Sequence, residues 1–280
     1  NTITLNSLSD GTYSDCTITV TNSSANSVTL NISSFVIDTT APTVTQETAV
    51  TTPTNDTTPN YTFSTNEAGT ITYGGSCSSS TTSAISGNNT ITLNSLSDGT
   101  YSDCTITVTD SLGHASSALS VSTFVVDTTA PSVDNFTLSD YHLKAGETAT
   151  VTLVFSEVVA SFSSAEDITV DTGILAAMTS SDNRTWTGTF TPTADEEDAG
   201  NKLSLATSYT DTAGNAGTAA TTLNYEVDTL APSVISFTLS PTALKAGDNA
   251  TVTLVFSEAV ASFSSAADIT VAGTAGAADN

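Results

Sequence analysis

The chain has 280 residues, with four Lys and Arg against 29 Asp and Glu, giving a formal net charge of −25 at pH 7. Such a balance repels nucleic acid and anionic membrane surfaces and attracts cations. No run of about 18 apolar residues is present to span a bilayer, so nucleic-acid binding and membrane insertion of this segment are both excluded.

In chain order, residues 1–21 (NTITLNSLSDGTYSDCTITVT) are identical to residues 89–109. The chain therefore opens inside a repeat, and the expectation is a window cut from a longer periodic array. One phrase closes each β-rich stretch: Ile37-Asp38-Thr39-Thr40-Ala41-Pro42, Val126-Asp127-Thr128-Thr129-Ala130-Pro131 and Val227-Asp228-Thr229-Leu230-Ala231-Pro232. Its aspartates are 89 and 101 residues apart, the length of one sandwich domain. This phasing predicts a partial first-type repeat over 1–41, a complete one over 42–130, a complete second-type repeat over 131–231 and a partial one over 232–280.

Within the complete first-type repeat, threonine alternates with Ile, Val, Leu and Phe, the pattern of half-buried strands. Seven strands are predicted near 43–50, 58–65, 70–75, 82–86, 90–94, 101–109 and 116–126. The stretch Leu96-Ser97-Asp98-Gly99-Thr100-Tyr101 predicts a tyrosine corner, with Tyr101 and its copy Tyr13 hydrogen-bonding back to the chain. Cys77 and Cys104, 27 residues apart, are expected to form a disulfide, which leaves Cys16 unpaired. The alternative is a pair of buried thiols. The second-type repeat reads the same way in Val151–Phe155 and Thr185–Phe190, where Trp186 shares a face with Phe190 and reads as core. No segment shows a convincing helical period. The fold class is all-β, a series of seven-stranded Greek-key sandwiches.

In such a sandwich the linker entering a domain lies beside the loops joining strands two to three and six to seven. All three places carry acids: Asp38 with Glu67 and Asp110, and Asp127 with Glu157 and Asp211. The linker-to-glutamate spacing is 29 and 30 residues, and Asp228 to Glu258 repeats the 30. Asn215 closes the Asp211 loop. Ca2+ takes six to eight hard oxygens in a tolerant geometry, which three carboxylates with loop oxygens and water supply. Carboxylates gathered this closely repel one another unless a cation joins them. The alternative is that these acids only solvate loops. A second acidic run, Asp195-Glu196-Glu197-Asp198, is read as a solvated loop between strands five and six, with a second calcium site as the alternative. Catalysis is not expected. His114 and His142 are the only histidines, and no nucleophile elbow, phosphate-cradling loop or dinucleotide fingerprint is present.

The linker phrase, the run Asp98–Asp110, the loop Thr210–Asn215 and the stretch Thr185–Asp195 together resemble the bacterial Ig-like repeats of giant secreted surface proteins and adhesins. The resemblance spans essentially the whole chain. It implies tandem immunoglobulin-like sandwiches in an extended rod, an extracellular cell-surface stalk whose junctions bind Ca2+. Its partners would be neighbouring repeats of the same or adjoining chains, with a host or surface ligand at an unseen tip. Two other readings stay open: a subunit of a filament in which chains complement one another's strands, and a module that binds glycans or surfaces directly. Gly113-His114 stands where the pattern has Gly-Asn, and Asn22 stands where the complete repeat has Asp110.

Overall fold

Alternation gives each strand one wet and one apolar face, and the computed structural model, which describes residues 1–270, shows the result. In Thr105–Thr109, Ile106 and Val108 are buried between half-exposed threonines. In Ala149–Phe155, Val151, Leu153 and Phe155 are buried in the same rhythm. The chain divides into two compact units. The first comprises Asn1–Ser132, Phe155–Phe162 and Thr207–Thr218; the second comprises Val133–Val154, Ser163–Ala206 and the described residues from Ala219 onward.

In the first unit, one antiparallel sheet runs Val44–Thr48, Asn60–Thr65, Gly87–Thr92. A second runs Leu119–Ser120, Thr105–Thr109, Gly69–Gly74, Ser83–Ala84. The chain crosses between them after Thr65, returns after Ala84 and crosses again after Thr92, the connectivity of a Greek key. Tyr61, Phe63 and Ile91 of the first sheet and Ile71, Ile106 and Val108 of the second form one buried cluster. Each such side chain stabilises the fold by roughly 1.5–3 kcal/mol.

Five of the seven expected strands match within a few residues. The sixth and seventh each break in two. Gly99–Tyr101 pairs with Phe124–Val126, while Thr105–Thr109 pairs with Leu119–Ser120 and Gly69–Gly74. The break follows from competing anchors: Tyr101 stacks on Phe124 at 5.2 Å, and Cys104, three residues on, is bonded to Cys77. The tyrosine corner is present, with Tyr101 Oη donating to the Ser97 carbonyl at 2.8 Å and Tyr13 Oη to that of Ser9 at 2.9 Å. In residues 1–41, Gly11–Tyr13 pairs with Phe35–Ile37 and Thr17–Thr21 with Ser27–Asn31.

Hydroxyls face one another across strands where ion pairs would otherwise stand. Thr62 meets Thr90 at 2.9 Å, Thr19 meets Thr29 at 2.9 Å and Thr21 meets Ser27 at 2.8 Å.

The second unit has a sheet in the order Val133–Leu138, Ala149–Phe155, Thr185–Thr191, Ile174–Leu175. Two three-stranded sheets accompany it: His142–Lys144, Tyr225–Asp228, Glu197–Asn201, and Ile168–Val170, Leu203–Leu205, Ala220–Thr221. Phe190 packs edge-on against Tyr225 at 5.1 Å, and both are fully buried. Trp186 lies on the Phe190 face but is only half-buried. Burial pushes the Tyr225 phenol up to about 12, against its hydrogen bond to the Thr172 carbonyl. Two one-turn helices, Ser164–Asp167 and Ser265–Asp268, were outside the sequence expectation. Each is closed by its aspartate, whose Oδ2 accepts the amide of Ser163 or Ser264 at 2.8 Å. The acidic run also differs from its expected loop. Asp195 turns the chain with φ +57°, Glu196 exchanges hydrogen bonds with Thr229, and Glu197–Asn201 is already a strand against Tyr225–Asp228.

The Cys77–Cys104 bond spans 27 residues, with a Cα separation of 5.2 Å. On the chain-entropy account it stabilises by about 3–4 kcal/mol. A Cys77→Ala, Cys104→Ala chain is therefore expected to lose that amount in urea unfolding, with the loss confined to the transition that reports Tyr61 and Tyr101.

Candidate metal centres

Each centre begins with the linker aspartate. Asp38 Oδ1 accepts the Thr40 amide at 3.1 Å and hydroxyl at 2.9 Å, and Asp127 Oδ1 accepts the Thr129 amide at 3.0 Å. These short turns fix the carboxylates ahead of Pro42 and Pro131. The linker threonines are themselves clasped. Asp98 accepts the Thr128 amide and hydroxyl and the Thr129 hydroxyl, and Asp10 accepts the Thr39 hydroxyl. The Thr128 and Thr129 bonds hold the Asp98 carboxyl below its ordinary range.

The glutamate is placed by the residue before it. Asn66 accepts the Thr43 amide at 2.7 Å, and Ser156 Oγ accepts the Ser132 amide at 2.9 Å. Ser257 repeats this clamp on Ser233 at 2.9 Å. The polar residue immediately before each first-strand valine thus finds the residue preceding Glu67, Glu157 or Glu258. This recurrence is legible in sequence, although it was not among the expectations.

The third carboxylate comes from a loop that folds around it. Asp211 Oδ1 accepts the amides of Ala213, Gly214 and Asn215 at 2.8, 2.7 and 2.9 Å. Asp110 Oδ1 accepts the amides of Leu112 and His114 at 2.8 and 2.9 Å. Gly113 and Gly214 supply the left-handed turn, with φ +96° and +95°. Asn215 Nδ2 donates to Asp211 Oδ2 and to the Asp127 carbonyl, both at 2.8 Å, so only its amide oxygen is left for a cation. His114 takes the corresponding place, its Nδ1 2.8 Å from Asp110 Oδ2.

The structure brings together Asp38, Glu67 and Asp110 in one group and Asp127, Glu157 and Asp211 in another, with one carboxylate oxygen of each residue within 4.8 Å of the others. Oxygens on opposite sides of a Ca2+ ion at about 2.4 Å stand about that far apart, and the donors are all hard oxygens, so both groups fit a calcium ion. Among the described residues no third such group forms around Asp228 and Glu258.

Electrostatics distinguish the two groups. Burial, then the charges of Asp127 and Asp211, raise the Glu157 carboxyl above its ordinary range. Burial alone would raise Asp110, but the His114 amide and ring with the Leu112 and Gly113 amides hold it low. His114 is raised by its bond to Asp110, against partial burial, and by the charges of Asp110, Asp38 and Asp10.

A family model for the bacterial Ig-like domain matches residues 127–227 and 228–277. No curated protein matches the chain. Among solved structures, it is similar to invasin, a bacterial integrin-binding protein, at 16% identity and TM-score 0.29, over 77% of this chain and 46% of that one. It is also similar to the Escherichia coli adhesin FdeC, at 14% identity and TM-score 0.30, over 77% and 72%. A third is SGBP-B of a Bacteroides ovatus mixed-linkage glucan utilization locus, at 14% identity and TM-score 0.20, over 87% and 61%. The chain spans under half the length of the invasin chain.

Glu157 binds its proton more tightly in the folded protein than in the unfolded one. Its contribution to stability is present below its ordinary value of 4.5 and is lost as pH rises through the raised folded value. In metal-free buffer, Glu157→Gln is expected to melt higher than the parent chain at pH 7 and at the same temperature at pH 4, read by thermal unfolding across that range.

Proposed function

The chain belongs to the bacterial Ig-like domain family, and from that premise we propose that it is a non-enzymatic structural segment of an extracellular, cell-surface stalk, built of repeats 1–41, 42–130, 131–231 and 232–280 and stiffened by Ca2+ at its junctions. The observation that supports this most is that two dissimilar repeats gather a linker aspartate, a glutamate and a loop aspartate within one ion's reach. Loops that only needed solvation have no reason to converge, because three like charges at that separation oppose folding.

Bound Ca2+ would supply the charge that the three carboxylates lack. The chain's own residues do the rest. Asp38 and Asp127 place a carboxylate within five residues of each linker proline, while the clamps at Asn66 and Ser156 set the glutamates against the start of the next strand. Asp110 and Asp211 present theirs from loops already rigid through their own amides. A site assembled only when linker and loops are docked converts hinge freedom into stiffness. It also stabilises by mass action, by about 2.7 kcal/mol when free ion stands at 100 times its dissociation constant. Among the described residues no helix is long and apolar enough to cross a membrane.

Solution scattering and thermal unfolding, each with millimolar Ca2+ and with chelator, test the reading. Calcium is expected to lengthen the maximum dimension and raise the melting temperature, and Glu157→Gln with Glu67→Gln is expected to remove both responses. Dimensions and melting that ignore the chelator would refute it.

A further inference from the structure

Asp98 is exposed and adds nothing to the core, yet both of its oxygens are engaged by the linker that follows. Oδ1 accepts the Thr128 amide at 3.0 Å and hydroxyl at 2.8 Å, and Oδ2 accepts the Thr129 hydroxyl at 3.1 Å. Asp10 grips Thr39 likewise, its two oxygens accepting one hydroxyl at 2.9 and 3.1 Å. At the third linker main-chain atoms take over: Thr229 Oγ1 accepts the Glu196 amide at 2.9 Å and donates to the Thr193 carbonyl at 2.7 Å.

Asp127, the residue just before Thr128, is held from both directions. Its amide donates to the Thr54 carbonyl at 2.9 Å, its Oδ1 accepts the Thr129 amide at 3.0 Å, and its carbonyl accepts Asn215 Nδ2 at 2.8 Å. Thr54 and Asp98 precede the linker in sequence, and Asn215 follows it. With both residues after Asp127 pinned by Asp98, its carboxylate has little freedom to swing away from Glu157 and Asp211. Asp98 is itself placed by a strand pair. Gly99–Tyr101 pairs with Phe124–Val126, and Tyr101 Oη donates to the Ser97 carbonyl at 2.8 Å. Gly99 stands opposite Val126, so the chain leaving this pair is the one that Asp98 grips two residues on.

We propose that Asp98 is a positioning residue for the Asp127, Glu157 and Asp211 group, a role that rests on calcium at that group, and that it ties cation binding there to the strand pair Gly99–Tyr101 and Phe124–Val126. Asp10 serves the Asp38, Glu67 and Asp110 group in the same way. Such coupling is reciprocal: if the grip of Asp98 favours the cation-bound arrangement, the cation favours the arrangement in which Asp98 grips.

Glu67→Gln leaves the 280-residue chain with the Asp127 group complete, and Glu157→Gln leaves it with the Asp38 group complete. Calcium is titrated into each by calorimetry. Asp98→Asn is expected to weaken binding to the Glu67→Gln chain by about 10- to 100-fold, the usual effect of losing a residue that orients a metal ligand. It is expected to leave the Glu157→Gln chain unchanged, and Asp10→Asn is expected to do the reverse. Asp98 also attracts cations simply as a charge, so a second variant keeps that charge: Thr128→Val with Thr129→Val is expected to weaken the Asp127 group too, and adding Asp98→Asn to it is expected to cost less than Asp98→Asn alone. Amide exchange gives a readout apart from affinity. In the Glu67→Gln chain calcium is expected to slow exchange in Gly99–Tyr101 and Phe124–Val126, and Asp98→Asn to abolish the slowing. Affinity that ignores Asp98→Asn, or that falls equally at both groups, would overturn the positioning role and leave the calcium reading standing. A parent chain that binds no calcium would overturn both.

Discussion

Everything at the two acidic groups depends on a carboxylate that serves its own loop before it serves anything else. Asp211 commits one oxygen to three successive amides, and Asp110 commits one to two. That one oxygen closes the loop, and the same backbone geometry aims the charge. The second oxygen of each is braced by a single side chain, Asn215 in one case and His114 in the other. A charge-assisted bond of this kind is worth about 1.5–3 kcal/mol, which offsets part of the repulsion that Asp38 or Asp127 and the glutamate introduce.

The bracing residue gives the two groups different electrostatic characters from one backbone design. Asn215 is neutral at every pH, and it ties the loop to the main chain of the linker through the Asp127 carbonyl. His114 gains a proton more readily than an ordinary imidazole, because its ring is bonded to Asp110. In the segment 22–26 the same turn is made without any charge: Asn22 accepts the Ser24 and Asn26 amides, and Ala25 takes the left-handed position at φ +63°. The loop shape therefore survives the loss of the acid, and what the acid adds is charge.

Much of this was legible in the sequence because it rests on short periodicities. Alternation in Thr105–Thr109 and in Ala149–Phe155 placed strands, and the recurrence of 29 and 30 residues paired linker aspartates with glutamates. The tyrosine corners at Tyr13 and Tyr101 depend on four residues of chain. The parts that escaped are set by contacts far apart in sequence. The break at Ser102 follows from two anchors, Phe124 and Cys77, that pull neighbouring residues toward different partners. Glu197 enters a strand because Tyr225–Asp228 offers an edge, and the clasp of Asp98 on Thr128 and Thr129 joins residues 30 positions apart. The helices at Ser164 and Ser265 are a single turn long, too short to carry a period.

The cross-strand hydroxyl pairs have a consequence of their own. A bond such as Thr62 to Thr90 carries no net charge, so neither dissolved salt nor protons change its strength within the range where proteins live. Sheets stitched by Lys and Glu would loosen in brine and tighten in fresh water. With four basic residues in the whole chain, these sheets have little of that response. Sensitivity to the surrounding medium is thereby concentrated at the carboxylate clusters between strands, and the walls of the sandwich stay mechanically constant while the chemistry outside changes.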